Sequence, residues 1–253
     1  MTDSHGDLIG RGLLLHDITS DRELDRMRAS LVSTVSHELR TPLASIKGYA
    51  TTLLADDVQW DSDSQHEFLK IISDESDRLS DLVNNILDLS RIDAGVLRLE
   101  RVICNIKETI QKAAQQARLN GNRFEVQIEA GLPRLYADPL RLESILRNLL
   151  ENATKYGGED TFIHVDVQKQ DTNILFCVSD DGPGIPSEEG LHIFESFYRV
   201  DDSLTRLKGG AGLGLAICQG LVHAHGGKIW LEPQDSGACI AFTIPLKPKR
   251  VKP

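Results

Sequence analysis

The sequence lacks any apolar run of the length that a membrane helix needs. Fully apolar stretches such as Leu13–Leu15 fall far below the roughly 20 residues that cross a bilayer. The N-terminus also lacks a recognisable secretory signal. These absences predict a cytoplasmic chain with no membrane segment of its own, and they leave open that a longer parent protein is anchored in a membrane.

A surplus of basic residues is missing as well. The 253 residues include 28 Lys and Arg against 38 Asp and Glu, which gives a formal net charge of −10. Nucleic acids and anionic membrane surfaces both select a cationic face. The charge balance therefore argues against either of them as a partner.

The four cysteines form no C-x-x-C pair, so the sequence does not favour a zinc cluster. Cys177 stands among apolar residues in Leu175–Val178, a setting typical of small core residues in a reduced protein. With 40% hydrophobic and 26% charged residues, the composition is that of an ordinary globular protein.

Residues 1–20 contain one segment of regular pattern. Gly10–Thr19 predicts a short β-strand that ends in a turn and is too small to bury a core of its own. The D-I-T exit of this segment resembles the end of the last strand of a PAS sensor domain. A disordered leader is the alternative for the first ten residues.

Residues 21–96 predict two long helices separated by a break at Asp56–Asp61. Each helix has an apolar stripe with spacings of three and four residues; the stripes comprise Leu24, Met27, Leu31, Val35, Leu39, Leu43, Ile46, Ala50 and Leu53, then Phe68, Ile71, Ile72, Leu79, Leu82, Val83, Ile86, Leu87 and Leu89. Gly95 suits the C-terminal cap of the second helix. One hairpin cannot bury both stripes, so we expect a homodimeric four-helix bundle. A hairpin that packs on the rest of the same chain is the alternative.

Residues 97–248 mix strands and helices without strict β-α-β alternation, which predicts a sandwich of the α+β type. The expected strands are Phe124–Ile128, Phe162–Val167, Ile174–Val178, Lys228–Leu231 and Cys239–Ile244, and the expected helices are Ile106–Arg118, Pro139–Tyr156 and Leu213–Ala224. Residues 249–253 form a tail.

The first helix carries a histidine in a distinctive setting, within Ser36–Leu43. Pro42 has no amide hydrogen to donate to the carbonyl of Glu38, so a kink is expected beside His37. Thr41 lies about one turn after His37 on the same face. These residue types suit His37 as a nucleophile, Glu38 as the group that orients its ring, and Thr41 as the residue that handles a hydrolytic water. A surface histidine beside a helix-kinking proline is the alternative.

The other histidines have no such neighbours. His223 and His225 precede two glycines at a helix end, where an interaction with the helix dipole is the simpler explanation. His164 lies on a predicted strand. The remaining histidines lack a set of partner residues: His5, His16, His66 and His192.

The helix predicted at Pro139–Tyr156 has a polar edge beside its apolar face. Asp138 suits its N-cap, and proline suits its first position. The polar edge comprises Asn148, Asn152, Lys155 and Tyr156, whereas Glu143, Arg147 and Glu151 are predicted to face solvent. Amide oxygens suit Mg²⁺ and a lysine suits phosphate, so Asn148 and Asn152 are candidate metal ligands. Ordinary surface asparagines are the alternative.

Two glycine motifs follow this helix. Asp180–Ile185 comes just after a predicted strand, where the carboxylate of Asp180 can accept the exocyclic amine of adenine; Gly182 and Gly184 let the backbone pass close to the base. A plain turn is the alternative. Gly209–Ile217 opens a helix whose amides and dipole suit a triphosphate, and it is neither a Walker loop nor a Rossmann fingerprint. Its candidate binding residues are Gly210, Gly212, Leu213 and Gly214.

A third motif, Ile193–Arg199, lies between the two glycine motifs. Phe194 and Phe197 predict either a hydrophobic anchor for a mobile segment or a small core helix. Arg199 is a candidate to reach a transferring phosphoryl group. The span 199–209 has no strong structure signal and predicts a lid over bound ATP.

Together these motifs resemble a known family. H-E-L-R-T-P-L at 37–43 matches the phosphoacceptor motif of the commonest subfamily of sensor histidine kinases. The later motifs match, in order and spacing, the N, first glycine, F and second glycine motifs of the GHKL ATPases. The resemblance covers about Asp21–Leu246 and implies a dimerisation and phosphotransfer domain at 21–96, followed by a Bergerat-type α/β sandwich at 97–248.

The resemblance also implies an activity, cofactors and partners. ATP bound with Mg²⁺ would phosphorylate His37, and the receiver domain of a response regulator would then accept the phosphoryl group on an aspartate. Thr41 implies a phosphatase activity toward the same regulator. The residues so implicated are Asn148, Asn152, Lys155, Tyr156, Asp180, Gly182, Gly184, Arg199, Gly210, Gly212 and Gly214. Ala211 departs from the family, in which threonine or serine is frequent, and this removes a hydroxyl contact.

Two other functions remain as alternatives. A GHKL ATPase of another class, such as an anti-sigma serine kinase, predicts no phosphoacceptor histidine near Pro42. A non-catalytic scaffold that binds regulators predicts incomplete glycine or asparagine motifs. The sequence has His37 and complete motifs, and both features favour the histidine kinase.

Overall fold

The computed structural model describes residues 19–55, 57–117, 119, 123–158, 160–199 and 211–247, with side chains in the first helix from Val35 onward. The predicted strand at Gly10–Thr19 except for its last residue, most of the predicted lid and the tail lie outside these residues. The α-helices are α1 (Thr19–Leu53), α2 (Ser62–Asp93), α3 (Ile106–Gln116), α4 (Pro139–Gly157) and α5 (Gly214–His225), and two short 3₁₀ helices occupy Ser187–Glu189 and His192–Phe194.

The strands form two sheets. They are β1 (Val102–Cys104), β2 (Arg123–Ile128), β3 (Leu135–Ala137), β4 (Phe162–Gln170), β5 (Asn173–Asp180), β6 (Ile229–Glu232) and β7 (Ala238–Pro245). A five-stranded sheet has the order β2-β4-β5-β7-β6, in which only β2 and β4 pair in parallel. A small antiparallel sheet joins β1 to β3.

Backbone contacts divide the chain into two compact units, Met1–His37 and Glu38–Pro253, and the boundary falls inside α1. Pro42 lies within that helix, which continues to Leu53. In the second unit, the α1–α2 turn is packed by Trp60, which stands edge-on to Phe68 at 5.0 Å and donates from its indole nitrogen to the carbonyl of Thr52. Among the described helices, none has the length and apolar character of a membrane span.

The second helix ends as predicted at Gly95. This residue has a φ of +65°, a conformation that glycine adopts without the steric cost of a Cβ. Its amide donates to the carbonyl of Ile92, and the amide of Val96 donates to the carbonyl of Arg91. These two bonds are the Schellman arrangement that satisfies the last helical carbonyls.

The core of the second unit lies between the large sheet and α3, α4 and α5. Alternation along the strands sends Phe176 of β5 and Phe242 of β7 to this face, where their rings stack at 4.7 Å and are fully buried. Ile110 of α3, Leu146 of α4 and Ile217 of α5 are also fully buried. The predicted α/β sandwich is therefore confirmed for the region after α2.

Asp138 and His225 connect the ends of two core helices. Asp138 caps α4 as predicted, since its carboxylate accepts from the amides of Leu140 and Arg141. Its own amide donates to Nε2 of His225 at 3.1 Å, while Nδ1 of His225 lies 2.8 Å from the carbonyl of Leu221. His225 is 2% exposed. Both ring nitrogens have partners that require a neutral ring with its proton on Nδ1.

The dipole explanation for His225 is therefore wrong. A favourable dipole interaction needs a protonated ring, whereas burial lowers the pKa of His225 from its ordinary value of 6.5, against the opposing effect of the Leu221 carbonyl. His223, two residues earlier, is exposed.

Helix α2 packs against α4 and α5 within the second unit. A Cβ placed on Gly220 of α5 would lie 2.5 Å from Cγ2 of Ile92, so the glycine allows close helix packing. Arg141 of α4 forms an ion pair with Asp88 at 2.5 Å. Helix α2 of the hairpin thus covers part of the sandwich, as expected for a hairpin that packs on the rest of the same chain.

Two predictions about local structure need correction. The three-residue strands β1 and β3 were not predicted, because they are too short to show an alternating pattern. Cys177 was expected in the core, but the strand register places it opposite Ala241, on the other face of the sheet from Phe176. It is half-buried there.

Replacing His225 with alanine should destabilise the fold by about 2–4 kcal/mol, because it leaves a cavity and a buried Asp138 amide without its acceptor. Urea denaturation monitored by circular dichroism measures this free energy of unfolding. His223→Ala is the matched control and should change it by less than about 0.5 kcal/mol. Equal effects of the two substitutions would contradict the structural role of His225.

The dependence of the free energy of unfolding on pH should include a contribution from His225. Because the pKa of His225 is lower in the folded chain than its ordinary 6.5, the unfolded chain takes up the proton first as pH falls. The free energy of unfolding should therefore decrease as pH falls below 6.5 toward the lowered pKa, and His225→Ala should remove this component. If the free energy of unfolding changed with pH equally in the wild type and the variant between pH 7 and 5, this role of His225 would be refuted.

Candidate active site

The predicted phosphoacceptor residues lie on consecutive turns of α1. His37 and Thr41 are exposed, Glu38 is half-buried and Pro42 is buried. His37 belongs to the first compact unit, and the other three residues belong to the second. The helix therefore presents an imidazole and a hydroxyl group at its surface.

The second unit contains a cavity of about 1310 Å³. Small-molecule sites usually occupy about 300–1,000 Å³, so this cavity is large enough for a nucleotide. Helix α4, the end of β5 and the start of α5 form one part of its wall, and α2 forms another. The predicted site residues that line it are Glu38, Asn148, Asn152, Lys155, Tyr156, Asp180, Gly184, Arg199, Gly212, Leu213 and Gly214.

Asp180 places a carboxylate in the cavity at the end of β5. Burial raises the pKa of this carboxyl, although the hydrogen bond from the Gly182 amide acts in the opposite direction. That amide donates to Oδ1 at 3.0 Å. The turn therefore holds one oxygen of the carboxylate, and the group has the acceptor chemistry that an amino-purine requires.

The glycines after Asp180 are explained by close packing. A Cβ on Gly182 would lie 2.6 Å from the Cα of Gly157, at the end of α4. Gly184 has a φ of +81°, and a Cβ there would lie 2.7 Å from the carbonyl oxygen of Gly237. These glycines hold the backbone against its neighbours, and Gly182 itself is not among the residues that line the cavity.

The polar edge of α4 also lies on the cavity. Asn148 is 6% exposed, and its Nδ2 donates to the carbonyl of Ser144 at 2.9 Å. Its Oδ1 points toward α5, since a Cβ on Gly214 would lie 3.1 Å from it. The ammonium group of Lys155 lies 4.8 Å from the centre of the Tyr156 ring, which adds a cation–π interaction at the same edge.

The second glycine motif meets the F motif at Gly212. This residue has a φ of +68°, and a Cβ there would lie 2.8 Å from the carbonyl oxygen of Tyr198. Its carbonyl accepts from the amide of Phe197 at 3.0 Å. Leu213 is 3% exposed and fixes the start of α5 in the core. Gly210 lies outside the described residues.

The F motif forms the short 3₁₀ helix predicted as one alternative. Ile193 and Phe194 are each 6% exposed and belong to the core. The hydroxyl of Tyr198 donates to the carboxylate of Glu189, which connects the end of the motif to the preceding 3₁₀ helix. Arg199 follows directly and lines the cavity. The motif thus anchors the start of the segment that was predicted as a lid.

The carboxylates that α2 contributes to the cavity were not predicted. Asp74, Asp77 and Asp81 line it and share one face of α2, at spacings of three and four residues. The signal was present as an acidic stripe beside the apolar one. It was missed because charged helix faces usually face solvent.

The prediction that Arg147 faces solvent is wrong. Its side chain is 21% exposed and lies 3.3 Å from Asp81 of α2. Periodicity correctly placed this residue away from the apolar face of α4. It gave no indication that a second helix covers that side.

The arrangement combines groups suited to a nucleotide. The half-buried carboxylate of Asp180, the asparagine and lysine edge of α4 and the N-terminal residues of α5 all line one cavity. Helix N-termini attract anions through their unpaired amides and dipole. Within the described residues, no cluster of histidine, cysteine, aspartate and glutamate side chains is able to hold a metal ion.

Family models match two parts of the chain. Residues 27–95 match the His Kinase A (phospho-acceptor) domain, and residues 137–248 match the histidine kinase-, DNA gyrase B- and HSP90-like ATPases. The second description supports binding of ATP by this region. Both matched ranges fall within the part of the chain that carries the motifs.

Individual relatives give the same picture. The alginate biosynthesis sensor protein KinB of Pseudomonas aeruginosa is 34% identical over 97% of this chain and 42% of its own length. A crystal structure of histidine kinase ThkA with response regulator protein TrrA has a TM-score of 0.65 and 26% identity, over 92% of this chain and 66% of that one. Full-length ShkA in complex with AMPPNP has a TM-score of 0.63 and 28% identity, over 87% of this chain and 46% of that one. The chain spans about two fifths of the length of the curated relatives that it matches.

Replacing Asp180 with asparagine should lower the affinity for ATP by about 10- to 100-fold, as expected for loss of a charged acceptor. The amide oxygen can keep the bond from the Gly182 amide, which leaves an NH₂ donor facing the exocyclic amine of adenine. GTP has an acceptor at that position, so the preference for ATP over GTP should also decrease. Equilibrium binding of fluorescent ATP and GTP analogues measures both effects.

The matched control for this substitution is Asp235→Asn. Asp235 is exposed and does not line the cavity, so its substitution should leave both affinities unchanged. An Asp180→Asn protein that binds ATP as tightly as the wild type would exclude Asp180 as the base-recognising residue.

Proposed function

The chain belongs to the family of two-component sensor histidine kinases, and we propose from this premise that it transfers the γ-phosphoryl group of ATP to His37. The observation that carries the proposal is the shared cavity. Asp180, the asparagine edge of α4 and the N-terminus of α5 all line it. The AMPPNP complex of ShkA supports a nucleotide as the occupant.

The cavity combines two kinds of chemistry. Asp180 lies near the turn of Gly182 and Gly184, which suits a planar base approached closely by backbone. Lys155 and the start of α5 supply positive charge, which suits a triphosphate. This division supports a nucleotide that binds with its base at the end of β5 and its phosphates at α4 and α5.

Asn148 and Asn152 would hold Mg²⁺ in this site. The nitrogen of the Asn148 amide is used by Ser144, so the oxygen is the atom directed toward the cavity and Gly214. Oxygen donors of this kind fit a hard cation that retains several waters. When bound, Mg²⁺ would supply charge neutralisation for the phosphates.

The proposed reaction forms a bond between a ring nitrogen of His37 and the γ-phosphorus. The bond from that phosphorus to the β–γ bridging oxygen breaks, and ADP leaves with the electron pair. Glu38, the next residue along α1, orients the ring and stabilises its positive charge. Arg199 supplies positive charge where negative charge develops on the transferring phosphoryl group.

The phosphoryl acceptor after His37 is an aspartate in the receiver domain of a response regulator. The ThkA structure contains such a regulator, TrrA, which supports this class of partner. Thr41 lies one helical turn from His37 and is exposed, so we infer that it positions water for the reverse function, dephosphorylation of the regulator.

A homodimer is the proposed assembly. Apolar side chains on α1 and α2 remain exposed in the single chain, including Leu43 at 57%, Leu69 at 56%, Val83 at 43% and Leu87 at 48%. Burial of such side chains in a second copy stabilises a four-helix bundle. The match to the phosphoacceptor domain over residues 27–95 supports the same arrangement.

His37→Gln should abolish incorporation of label from [γ-³²P]ATP. Label on the wild type should survive alkali and disappear in acid, as a phosphoramidate does. His66→Gln is the matched control, because His66 is exposed on α2 and should leave labelling unchanged. Label that persists in the His37→Gln protein would exclude this residue as the acceptor.

Asn152→Asp should reduce labelling of His37 to background, because it places an extra negative charge beside the triphosphate and replaces an amide donor. Light scattering after size-exclusion chromatography should show an unchanged dimer. Asn105→Asp is the control: Asn105 caps α3 through its side-chain oxygen, which aspartate can replace. A monomeric Asn152→Asp protein would mean that Asn152 is structural and not part of the nucleotide site.

A further inference from the structure

Two of the four cysteines lie together on the face of the large sheet that is turned away from the helices. Cys177 of β5 is opposite Ala241 of β7, and Cys239 of β7 is opposite Ser179 of β5. The two cysteines are therefore diagonal neighbours on adjacent antiparallel strands. Residues so related have side chains within reach of each other.

The diagonal placement lets the two thiols interact, and the interaction affects their pKa values in opposite directions. The Cys239 thiol lowers the pKa of Cys177, against the effects of burial and of the Asp166 and Glu232 carboxylates. The Cys177 thiol and burial together raise the pKa of Cys239. A partly exposed thiol with a lowered pKa is the more reactive nucleophile.

The residue with the lowered pKa, Cys177, is also the more exposed of the two. Cys177 is half-buried, so reagents can reach it. Cys239 is 3% exposed and pairs with Glu232 of the edge strand β6. Cys177 is thus suited to react first with an external oxidant, and Cys239 is suited to react second from within the protein.

The other cysteines have different surroundings. Cys104 of β1 is buried, with its sulfur 3.3 Å from the hydroxyl of Thr109. Cys218 of α5 is fully buried, and its thiol donates to the carbonyl of Ile145. Burial raises the pKa of both thiols. Neither is partly exposed beside a second cysteine, as Cys177 is.

We propose that Cys177 and Cys239 form an oxidisable thiol pair that a hydroperoxide converts into a cross-strand disulfide. The thiolate of Cys177 attacks the terminal peroxide oxygen, the O–O bond breaks, and an alcohol or water leaves after protonation. Cys239 then attacks the sulfur of the resulting sulfenic acid. The S–O bond breaks, water departs with the thiol proton, and the S–S bond forms.

The disulfide would act on the strand ends that border the cavity. Val178 and Ile240 alternate with the cysteines and line the cavity from the opposite face of the sheet. Asp180 lies three residues after Cys177, and a Cβ on Gly237 would lie 1.8 Å from its carbonyl oxygen. Gly237 directly precedes β7, so a shift of β7 relative to β5 would displace the backbone at Asp180.

Formation of the disulfide requires β5 and β7 to shift relative to each other. Diagonal partners in antiparallel sheets have Cα atoms about 7–8 Å apart, whereas disulfides are most often found at about 5.5–6 Å. Hydrogen-bonded strands already lie about 4.7–4.9 Å apart, so β5 and β7 must slide along each other near the end of β5. We expect the oxidised protein to bind ATP about tenfold more weakly, a change of roughly 1.4 kcal/mol. This second step depends on the proposed function, whereas formation of the disulfide does not.

Treatment of the reduced chain with hydrogen peroxide tests the pair directly. The intact mass should decrease by about 2 Da as two thiols lose their hydrogens, and two of four thiols should resist alkylation until dithiothreitol is added. Peptide mapping should locate the bond between Cys177 and Cys239. Four alkylatable thiols after treatment, or a bond that involves Cys104 or Cys218, would refute the proposal.

Single substitutions separate the two roles. Cys239→Ser should leave a sulfenic acid on Cys177 that dimedone captures, while Cys177→Ser should prevent both capture at this pair and disulfide formation. Cys104→Ser is the control and should form the disulfide normally. Equal dimedone labelling of Cys177 with and without Cys239 would refute Cys239 as the resolving thiol.

ATP affinity measured before and after oxidation tests the connection to the cavity. The decrease in ATP affinity on oxidation should be reversed by dithiothreitol and should be absent in the Cys177→Ser protein. An oxidised protein that carries the mapped disulfide and binds ATP as tightly as the reduced one would refute the connection. Failure of both forms to bind ATP would instead refute the proposed function, because the disulfide is detected by mass alone.

Discussion

The hydrogen bond from the amide of Asp138 to Nε2 of His225 joins the beginning of α4 to the end of α5. The carboxylate of Asp138 extends this junction, because it caps α4 and also accepts from the amide of Glu100 at 2.9 Å. Both helices line the cavity, and Glu100 lies in the segment that follows α2. A buried, neutral histidine therefore fixes the relative position of the elements that carry the asparagine edge and the second glycine motif. Water cannot replace this bond at a site where both partners are buried.

The charge distribution of the second unit follows from how α2 packs. Asp88 of α2 forms an ion pair with Arg141 of α4, and Asp81 forms one with Arg147. The residue numbers fall along α2 as they rise along α4, so the two helices run in opposite directions. Ion pairs at partly exposed positions contribute about 0–1 kcal/mol each, so the close contact of Ile92 with Gly220 carries more of the stability. The ion pairs instead determine the register of the two helices. They also place carboxylates at the edge of a cavity whose other residues suit an anion.

The sequence predicted the elements whose signals are local. Asp138 and Pro139 identified the start of α4, and Gly95 identified the end of α2, because capping depends on residues within one turn. Alternation predicted all five strands of the large sheet. The asparagine and glycine motifs were recognised as a group, and the structure brings most of them to one cavity.

The remaining features depend on contacts between distant parts of the chain. Arg147 was predicted to face solvent because its environment is set by α2, some 60 residues earlier. His225 was assigned to the helix dipole because its true partner, Asp138, is 87 residues away. Cys177 was placed in the core because its neighbours are apolar, yet strand alternation reverses the face at every residue. For Arg147 and His225 the local pattern was correct and the distant partner was missing, whereas for Cys177 the alternation itself was overlooked.

The end of β5 shows why the nucleotide cavity and the fold share the same constraints. Asp180 continues a strand that is paired along its whole length with β4 and β7, and its carboxylate is held by the amide of Gly182. Gly182 in turn packs against Gly157 at the end of α4. A shift of the carboxylate must therefore move either a central strand or the end of a core helix. Such rigidity favours selective recognition of one base, because a binding group that cannot relax loses affinity for a ligand with the wrong donors and acceptors.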